Sequence, residues 1–216
     1  MPMSRPPLTS MLRPSALRLA ALAAAALLVL TWLWLAPGQH RAFEDASSDP
    51  LWRSAASRAV EDERRTVIID IDEASLARVG AWPWPRETIA RLVGALHAQG
   101  AAVQVLDIVF PESRAGDPVL AAALARHPVH IGQIFALAPD AARVGVLSGA
   151  LSGVSCASGV FPVAGGYVAN AAGVLAAPGV RGVGHIAPVL DADGTVRRIA
   201  PVLCHQQHAY PALALL

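Results

Sequence analysis

TVIIDIDEASLARVGAWPWPRETIARLVGALHAQGAAVQVLDIVFPE, residues 66–112, is the stretch of sequence that decides the fold. The apolar and β-branched runs at 67–71 and 101–106 are typical of buried strands, whereas Arg86–Gln99 carries apolar residues at helical spacing. Strand, helix and strand in this order predict a parallel βαβ unit with carboxylates at both strand ends.

The elements that follow extend this pattern towards the C-terminus. Asp117-Pro118 is a typical helix start for 119–126, and Val129–Phe135 is predicted to form a third strand. Two alternating runs, 184–190 and 195–203, flank a glycine-containing turn and predict a β-hairpin. The predicted class is α/β: an N-terminal transmembrane helix, then a mixed sheet with βαβ units flanked by helices, and a C-terminal β-hairpin.

The N-terminal part contains an apolar segment. Leu19–Ala36 has no charged residue, and Arg5, Arg13 and Arg18 precede it. These features predict a transmembrane helix over residues 15–36 with a disordered cytoplasmic tail at 1–14 and residues 42–216 outside the cytoplasm. A cleaved secretory signal is the alternative, although the core ends in Leu-Trp-Leu-Ala-Pro, which is a poor cleavage site.

Composition limits the remaining possibilities. Removing the first 36 of 216 residues leaves about 180, a size that suits one domain. The net charge is +1 and only 15% of residues are charged, so no basic surface for nucleic acid is predicted. All seventeen basic residues are Arg, which excludes lysine-dependent chemistry. The last six residues resemble the start of a helix without a closing cap, so the sequence is expected to be truncated.

Two groups of motif residues resemble a known family. The first group lies between residues 70 and 118: Asp70-Ile71-Asp72, Ser75-Leu76, Gly80, Trp82-Pro83-Trp84-Pro85-Arg86, Asp107, Phe110, Glu112 and Asp117-Pro118. The second lies near the C-terminus: Gly184-His185-Ile186, Asp193-Gly194, Arg197-Arg198 and Tyr210-Pro211-Ala212-Leu213-Ala214. Over residues 42–216 the sequence is similar to the CHASE family of the second type, the extracellular sensory domain of membrane-bound nucleotide cyclases, histidine kinases and serine/threonine kinases.

The resemblance implies a bacterial sensor in the inner (cell) membrane, with the domain on the periplasmic or extracellular side. It further implies an unknown small-molecule or protein signal, a homodimer, and a cytoplasmic cyclase or kinase output. An exported structural protein without signalling is the alternative from another class. The Asp70-x-Asp72 motif also resembles the start of haloacid-dehalogenase-type phosphotransferases, but the lysine that such enzymes need is absent from the sequence. We therefore predict a protein that is not an enzyme and needs no cofactor.

Seven residues are candidates for signal binding, and they fall into carboxylates and an aromatic loop with its arginine: Asp70, Asp72, Asp107, Glu112, Trp82, Trp84 and Arg86. Carboxylates that follow parallel strands are expected to converge at the carboxyl edge of the sheet, where ligands of α/β folds bind. A Mg²⁺ or Ca²⁺ site is one alternative. The favoured interpretation is structural: Asp72 caps a helix, and Asp70 or Asp107 pairs with Arg86 or accepts backbone amides near the Trp-Pro loop, so no metal is predicted.

The loop Trp82-Pro83-Trp84-Pro85 combines two large rings with two fixed φ angles. Its tryptophans are predicted to cover the core, and a ligand lid is the alternative.

Cys156 and Cys204 lie in the exported part, where they either form a disulfide or remain two buried thiols. The seven histidines lack metal-ligand spacing, and solvated surface positions are predicted for them. A zinc site from Cys204, His205 and His208 would lack a fourth ligand and would compete with the disulfide.

Overall fold

The computed structural model describes residues 14–35, 37–56, 65–157, 159–191 and 193–216. The chain divides into two units, residues 1–70 and 71–216. The predicted disordered tail lies outside the described residues except for Pro14, which begins a helix.

The first unit contains two helices, α1 (Pro14–Leu35) and α2 (Pro37–Ala56). Within α1, the 20 residues Ala16–Leu35 have a mean hydropathy of 2.1 and are long and apolar enough to cross a membrane. Helix α2 continues through Pro50. Although Asp49-Pro50 is a local pattern typical of a helix start at Leu51, the helix does not begin there.

The predicted first strand, 67–71, is also wrong. These residues belong to no strand and pair with no other strand in the described part of the chain. The side chains of Val67 and Ile68 are 73% and 89% exposed. Because β-propensity reflects packing on a half-buried sheet, a β-branched run that meets no neighbouring strand does not form one.

The second unit holds the remaining elements in chain order. Its helices and strands are α3 (Glu73–Val79), α4 (Arg86–Ala98), β1 (Gln104–Leu106), α5 (Asp117–Leu124), β2 (Val129–Ala136), β3 (Arg143–Val144), β4 (Gly166–Val168), α6 (Ala172–Leu175), β5 (Val180–His185), β6 (Val189–Leu190), β7 (Val196–Arg198), β8 (Val202–His205), β9 (His208–Pro211) and a 3₁₀ helix (Leu213–Leu215).

Strand β2 is the centre of the main sheet. It pairs in parallel with β1 and with β5, and its C-terminal half pairs antiparallel with β4, which in turn pairs in parallel with β3. The elements β1, α5 and β2 form a parallel βαβ unit. The α/β class and the mixed sheet are therefore confirmed, although the βαβ unit begins at β1 and not at residue 67.

Two small hairpins follow the main sheet. The predicted hairpin is present as β6 and β7, and Gly194 in its turn has a φ of 78°, a conformation that suits glycine. The second hairpin, β8 and β9, was missed. Its turn residues Gln206 and Gln207 both have positive φ, 46° and 69°, so the tight turn lacks the Asn or Gly that usually marks it in a sequence.

The second unit has two hydrophobic cores. The first core lies where α4 and α5 pack on β1, β2 and β5, and its most buried members include Val93, Leu120, Leu124, Val129 and Ile131. The second core lies towards the C-terminus and contains Phe135, Ala164, Ala187, Ala200, Leu203 and Tyr210. Strand β2 contributes side chains to both cores.

A disulfide joins Cys156 to Cys204 across 48 residues. Cys204 lies in β8 and is 1% exposed, so the bond fastens a surface loop to the strand beside the second core. In the structure the two cysteines are joined and are not two separate thiols. Cys204 is held in this bond and does not lie free beside His205 and His208 as a ligand.

Candidate functional site

Arg86, the first residue of α4, is a charged side chain that the fold buries to 6% exposure. Its Nε donates to Oδ1 of Asp117 at 2.8 Å, and its Nη2 donates to the backbone oxygen of Glu112 at 2.9 Å. The guanidinium also lies 4.6 Å from the centroid of the Phe110 ring, a cation–π distance. We call these residues, together with Arg114, the Arg86 cluster.

Asp117 completes the cluster from the first turn of α5. Its second carboxylate oxygen, Oδ2, accepts the backbone N–H of Arg114 at 3.0 Å. Both oxygens of this buried carboxylate therefore have donors, as a buried ion pair requires. The preceding Gly116 allows the close approach, because a Cβ there would lie 2.7 Å from the Cβ of Arg86.

The predicted partners of Arg86 were Asp70 or Asp107, and that expectation is wrong. Asp107 is exposed. Arg86 instead pairs with Asp117, which lies 31 residues further along the chain. The expected cap role of Asp117 is also displaced, since α5 has Gly116 at its N-cap position. The physical reason is that α5 packs against α4, so the carboxylate at its start meets the arginine at the start of α4.

The tryptophan loop divides its two rings between the core and the surface. Trp84 is 6% exposed, packs in the first core, and donates from Nε1 to the backbone oxygen of Gly80 at 2.7 Å. Trp82 is 44% exposed and meets Trp84 edge to face at 5.7 Å. Trp84 therefore covers the core as predicted, whereas Trp82 rests on it and presents a large apolar surface to solvent.

Asp72 has a structural role. Its Oδ1 accepts the backbone N–H and the hydroxyl of Ser75 at 2.8 and 2.7 Å, which caps α3 as the sequence predicted. These hydrogen bonds, the hydroxyl first, stabilise the charged form and hold the pKa of Asp72 below its ordinary value.

The cap hydrogen bonds of α3 come from Asp72 and not from the other carboxylate candidates. The Glu112 side chain pairs with Arg114 at 3.2 Å on the surface, and Asp70 is exposed in the first unit. In the part of the chain that the structure describes, no three His, Cys, Asp or Glu side chains come close enough together to hold a metal ion. The carboxylates of the motif do not assemble a cation site there.

A surface cleft of about 590 Å³ lies between α4 and α5. Glu87, Arg91 and Arg126 line it with charge, and Ala90, Pro118, Val119, Ala122 and Ala123 supply its apolar floor. The cleft was not predicted from the sequence, because its walls come from two helices with the whole of β1 between them in the chain. The only local signal was the spacing of Glu87 and Arg91, which places both on one face of a helix.

Two histidines lie in the interior, although surface positions were predicted. His185 in β5 is 1% exposed and His205 in β8 is 3% exposed. Both rings lie near Phe135, at centroid distances of 6.3 and 6.2 Å. Tyr167 and Tyr210 complete this aromatic group, and burial, with the nearby Tyr167, raises the pKa of the Tyr210 phenol. The position of His205 in the apolar run Val202–Cys204 was the available signal.

The disulfide, the α/β unit and the apolar helix together indicate a class of protein. A disulfide-linked α/β unit preceded by a helix long enough to cross a membrane has the features of the exported domain of a membrane-anchored protein. The chain belongs to the CHASE2 domain family, whose model matches residues 23–216. Domains of this family are extracellular sensory domains of signalling proteins and are not catalytic. No curated protein and no solved structure matches the chain.

Proposed function

We propose that this chain is the periplasmic or extracellular input of a bacterial signal-transduction protein, held in the inner (cell) membrane by α1. The family match over residues 23–216 carries the proposal. The charge distribution supports the orientation, because Arg5, Arg13 and Arg18 precede the apolar segment and mark its cytoplasmic side. The disulfide between Cys156 and Cys204 supports export, since such bonds persist in oxidising compartments.

Signal binding is assigned to the surface over the Arg86 cluster. The loop before α4 and the loop after β1 meet there, as the hydrogen bond from Arg86 to Glu112 shows. Both loops lie at the carboxyl end of β1, the edge at which open α/β sheets bind ligands. Of the seven candidates, Trp82, Asp107 and Glu112 present side chains to solvent there, while Trp84 and Arg86 hold the loops from beneath.

Transmission of the signal requires two arrangements of the domain that bind the signal with different affinity. The simplest arrangement is a symmetric homodimer in which signal binding shifts the two anchor helices relative to each other. A cyclase or kinase on the cytoplasmic side would read this shift as its output.

Orientation is tested with paired reporters fused after Leu216: alkaline phosphatase, which is active only after export, and a fluorescent protein that matures only in the cytosol. We expect phosphatase activity without fluorescence. A variant with Arg13→Glu and Arg18→Glu is the matched control, since it removes the charge bias and should divide the chains between both orientations. Fluorescence without phosphatase activity in the unaltered chain would overturn the proposal.

Dimer formation is tested separately by cysteine crosslinking in α1. Both native cysteines are held in the disulfide, so a single Leu22→Cys or Leu28→Cys substitution reports on contacts of the anchor helix alone. We expect oxidation in the membrane to give a covalent dimer for positions on one face of α1. Equal and weak crosslinking at every position around the helix would contradict a specific dimer.

A further inference from the structure

The imidazole of His185 is buried beside Phe135 of the second core. His185 ends β5 opposite Gln133 of β2, and its ring is 1% exposed. Neither of its ring nitrogens meets a hydrogen-bond partner among the residues that the structure describes. A neutral imidazole tolerates this environment far better than an imidazolium, which would carry a full charge without an acceptor.

A second imidazole lies on the same aromatic group. His205 places Nδ1 2.8 Å from the backbone oxygen of Ala164, which fits Nδ1 as the donor of the neutral ring. Its Nε2 is buried and has no partner in the described part of the chain.

The groups around these rings supply no negative charge. Tyr167 of β4 lies 5.2 Å from the His205 ring, and Tyr210 of β9 lies 5.1 Å from Phe135. On β2, Gln133 lies opposite His185 and His130 lies opposite Gly182. The other titratable side chains on β5 and on β9, which packs against it, are Arg181, His208 and Tyr210. No ion pair among the described residues includes His185 or His205. Burial accordingly lowers the pKa of His185, and the backbone of Ala200, outside hydrogen-bond geometry, offsets only part of this.

We propose that the second core is a proton-responsive switch in which protonation of His185 at mildly acidic pH releases the β8–β9 hairpin and the C-terminal 3₁₀ helix from β5. The contacts that would open are specific. His185 forms a β-bridge with Ala212, and Gly184 lies so close to Leu213 that a Cβ would overlap its backbone. That the proton is an input signal of a sensor rests on the proposed function. That protonation opens this part of the chain does not depend on the proposed function.

The direction of the effect follows from the lowered pKa. The closed state is fully stable above the ordinary histidine pKa of 6.5 and loses stability as the pH falls below 6.5 towards the lower pKa of the buried ring. A ring that stays neutral when closed and titrates normally when open raises the opening equilibrium constant about eightfold between about pH 7 and about pH 5.5. No histidine is among the described buried residues of the first core, and the stacked rings of His97 and His127 lie outside it, in the last turn of α4 and after α5, so this core should stay closed.

Hydrogen exchange of the full chain in detergent, corrected for the intrinsic pH dependence of exchange, tests this switch. We expect about eightfold faster exchange in β8 and β9 at about pH 5.5 than at about pH 7, with little change in α4 and α5. His185→Phe should abolish the response, and His208→Gln, which changes an exposed histidine of the same hairpin, should retain it. If His185→Phe does not fold at neutral pH, His185→Gln serves as the non-titrating variant.

Three results would overturn the switch: an undiminished response in the folded non-titrating variant, no response in the unaltered chain, or equal acceleration in both cores. The exchange measurement involves neither a reporter nor an output domain. Its failure therefore leaves the proposed sensory function standing, and failure of the reporter experiment leaves the switch standing.

Discussion

Replacement of Asp117 by alanine should strongly destabilise the part of the fold that contains the Arg86 cluster. The substitution removes the 2.8 Å ion pair to Arg86 and the acceptor of the Arg114 backbone N–H. The guanidinium would stay buried with only the Glu112 backbone oxygen and the Phe110 ring as partners. Removing one partner of a buried pair costs about 3–5 kcal/mol, against a total stability of about 5–15 kcal/mol for a typical domain.

For a domain of this size, each 1 kcal/mol lowers Tm by about 2–4 °C, so a loss of about 3–5 kcal/mol in Asp117→Ala should lower Tm by about 6–20 °C. Thermal unfolding of the full chain in detergent is best followed by near-ultraviolet circular dichroism, which reports packing of the aromatic residues. Glu112→Ala is the matched control. It removes only the surface pair with Arg114, worth less than about 1 kcal/mol, and leaves the backbone oxygen that Arg86 uses.

A double variant distinguishes the effect of losing the ion pair from the effect of leaving the Arg86 charge buried without its partner. Arg86→Met with Asp117→Leu fills the site with apolar side chains and should recover most of the stability that Asp117→Ala loses, because no buried charge remains. The reasoning would be refuted if Asp117→Ala changed Tm no more than Glu112→Ala, or if the double variant were less stable than Asp117→Ala alone.

Substitutions in three further places, the tryptophan loop, the disulfide and the cap of α3, distinguish other parts of the fold. Trp84→Ala should lower the free energy of unfolding by about 3–5 kcal/mol, because the Trp84 ring fills the first core. In the same thermal assay, Trp82→Ala should lower it by less than half as much. Equal losses of stability would contradict the division of the loop into a core ring and a surface ring. Cys156→Ser should destabilise by about 4 kcal/mol on the chain-entropy model for a 48-residue separation, and addition of reductant should then shift the Tm of the unaltered chain but not of the variant. Asp72→Ala should lower the helicity of α3. The loss of helicity should be largest at pH values above 3.8, the ordinary aspartate pKa, and should shrink as the pH falls through the lowered pKa of Asp72. Asp72→Asn should keep most of the cap at every pH.

Local chemistry made several elements predictable from the sequence. The cap formed by Asp72 and the stop at Gly80 define α3 within a few residues, so neighbouring positions suffice to place it. Helix α4 and strand β2 were predicted to within a residue at each end because each buries one clear apolar pattern. The disulfide was left open because a sequence contains no distance between two cysteines, and the structure supplies that distance.

The failures concern partners that lie far apart in sequence. Several carboxylates carry equivalent local signals for pairing with Arg86, and only the packing of α5 on α4 selects Asp117. The run at 67–71 has the composition of a strand, yet a strand exists only with a neighbour. Histidine is intermediate in burial preference, so composition alone gave no reason to place His185 inside the second core.

Strand β2 connects the two hydrophobic cores of the second unit. Val129 and Ile131 at its beginning are packed in the first core, and Phe135 at its end is packed in the second. Residues 129–133 of β2 pair with β1 or β5, and residues 134–136 pair with β4, so one continuous strand carries side chains into both cores. A displacement of Phe135 would therefore act on the same strand that packs Val129 and Ile131 in the first core.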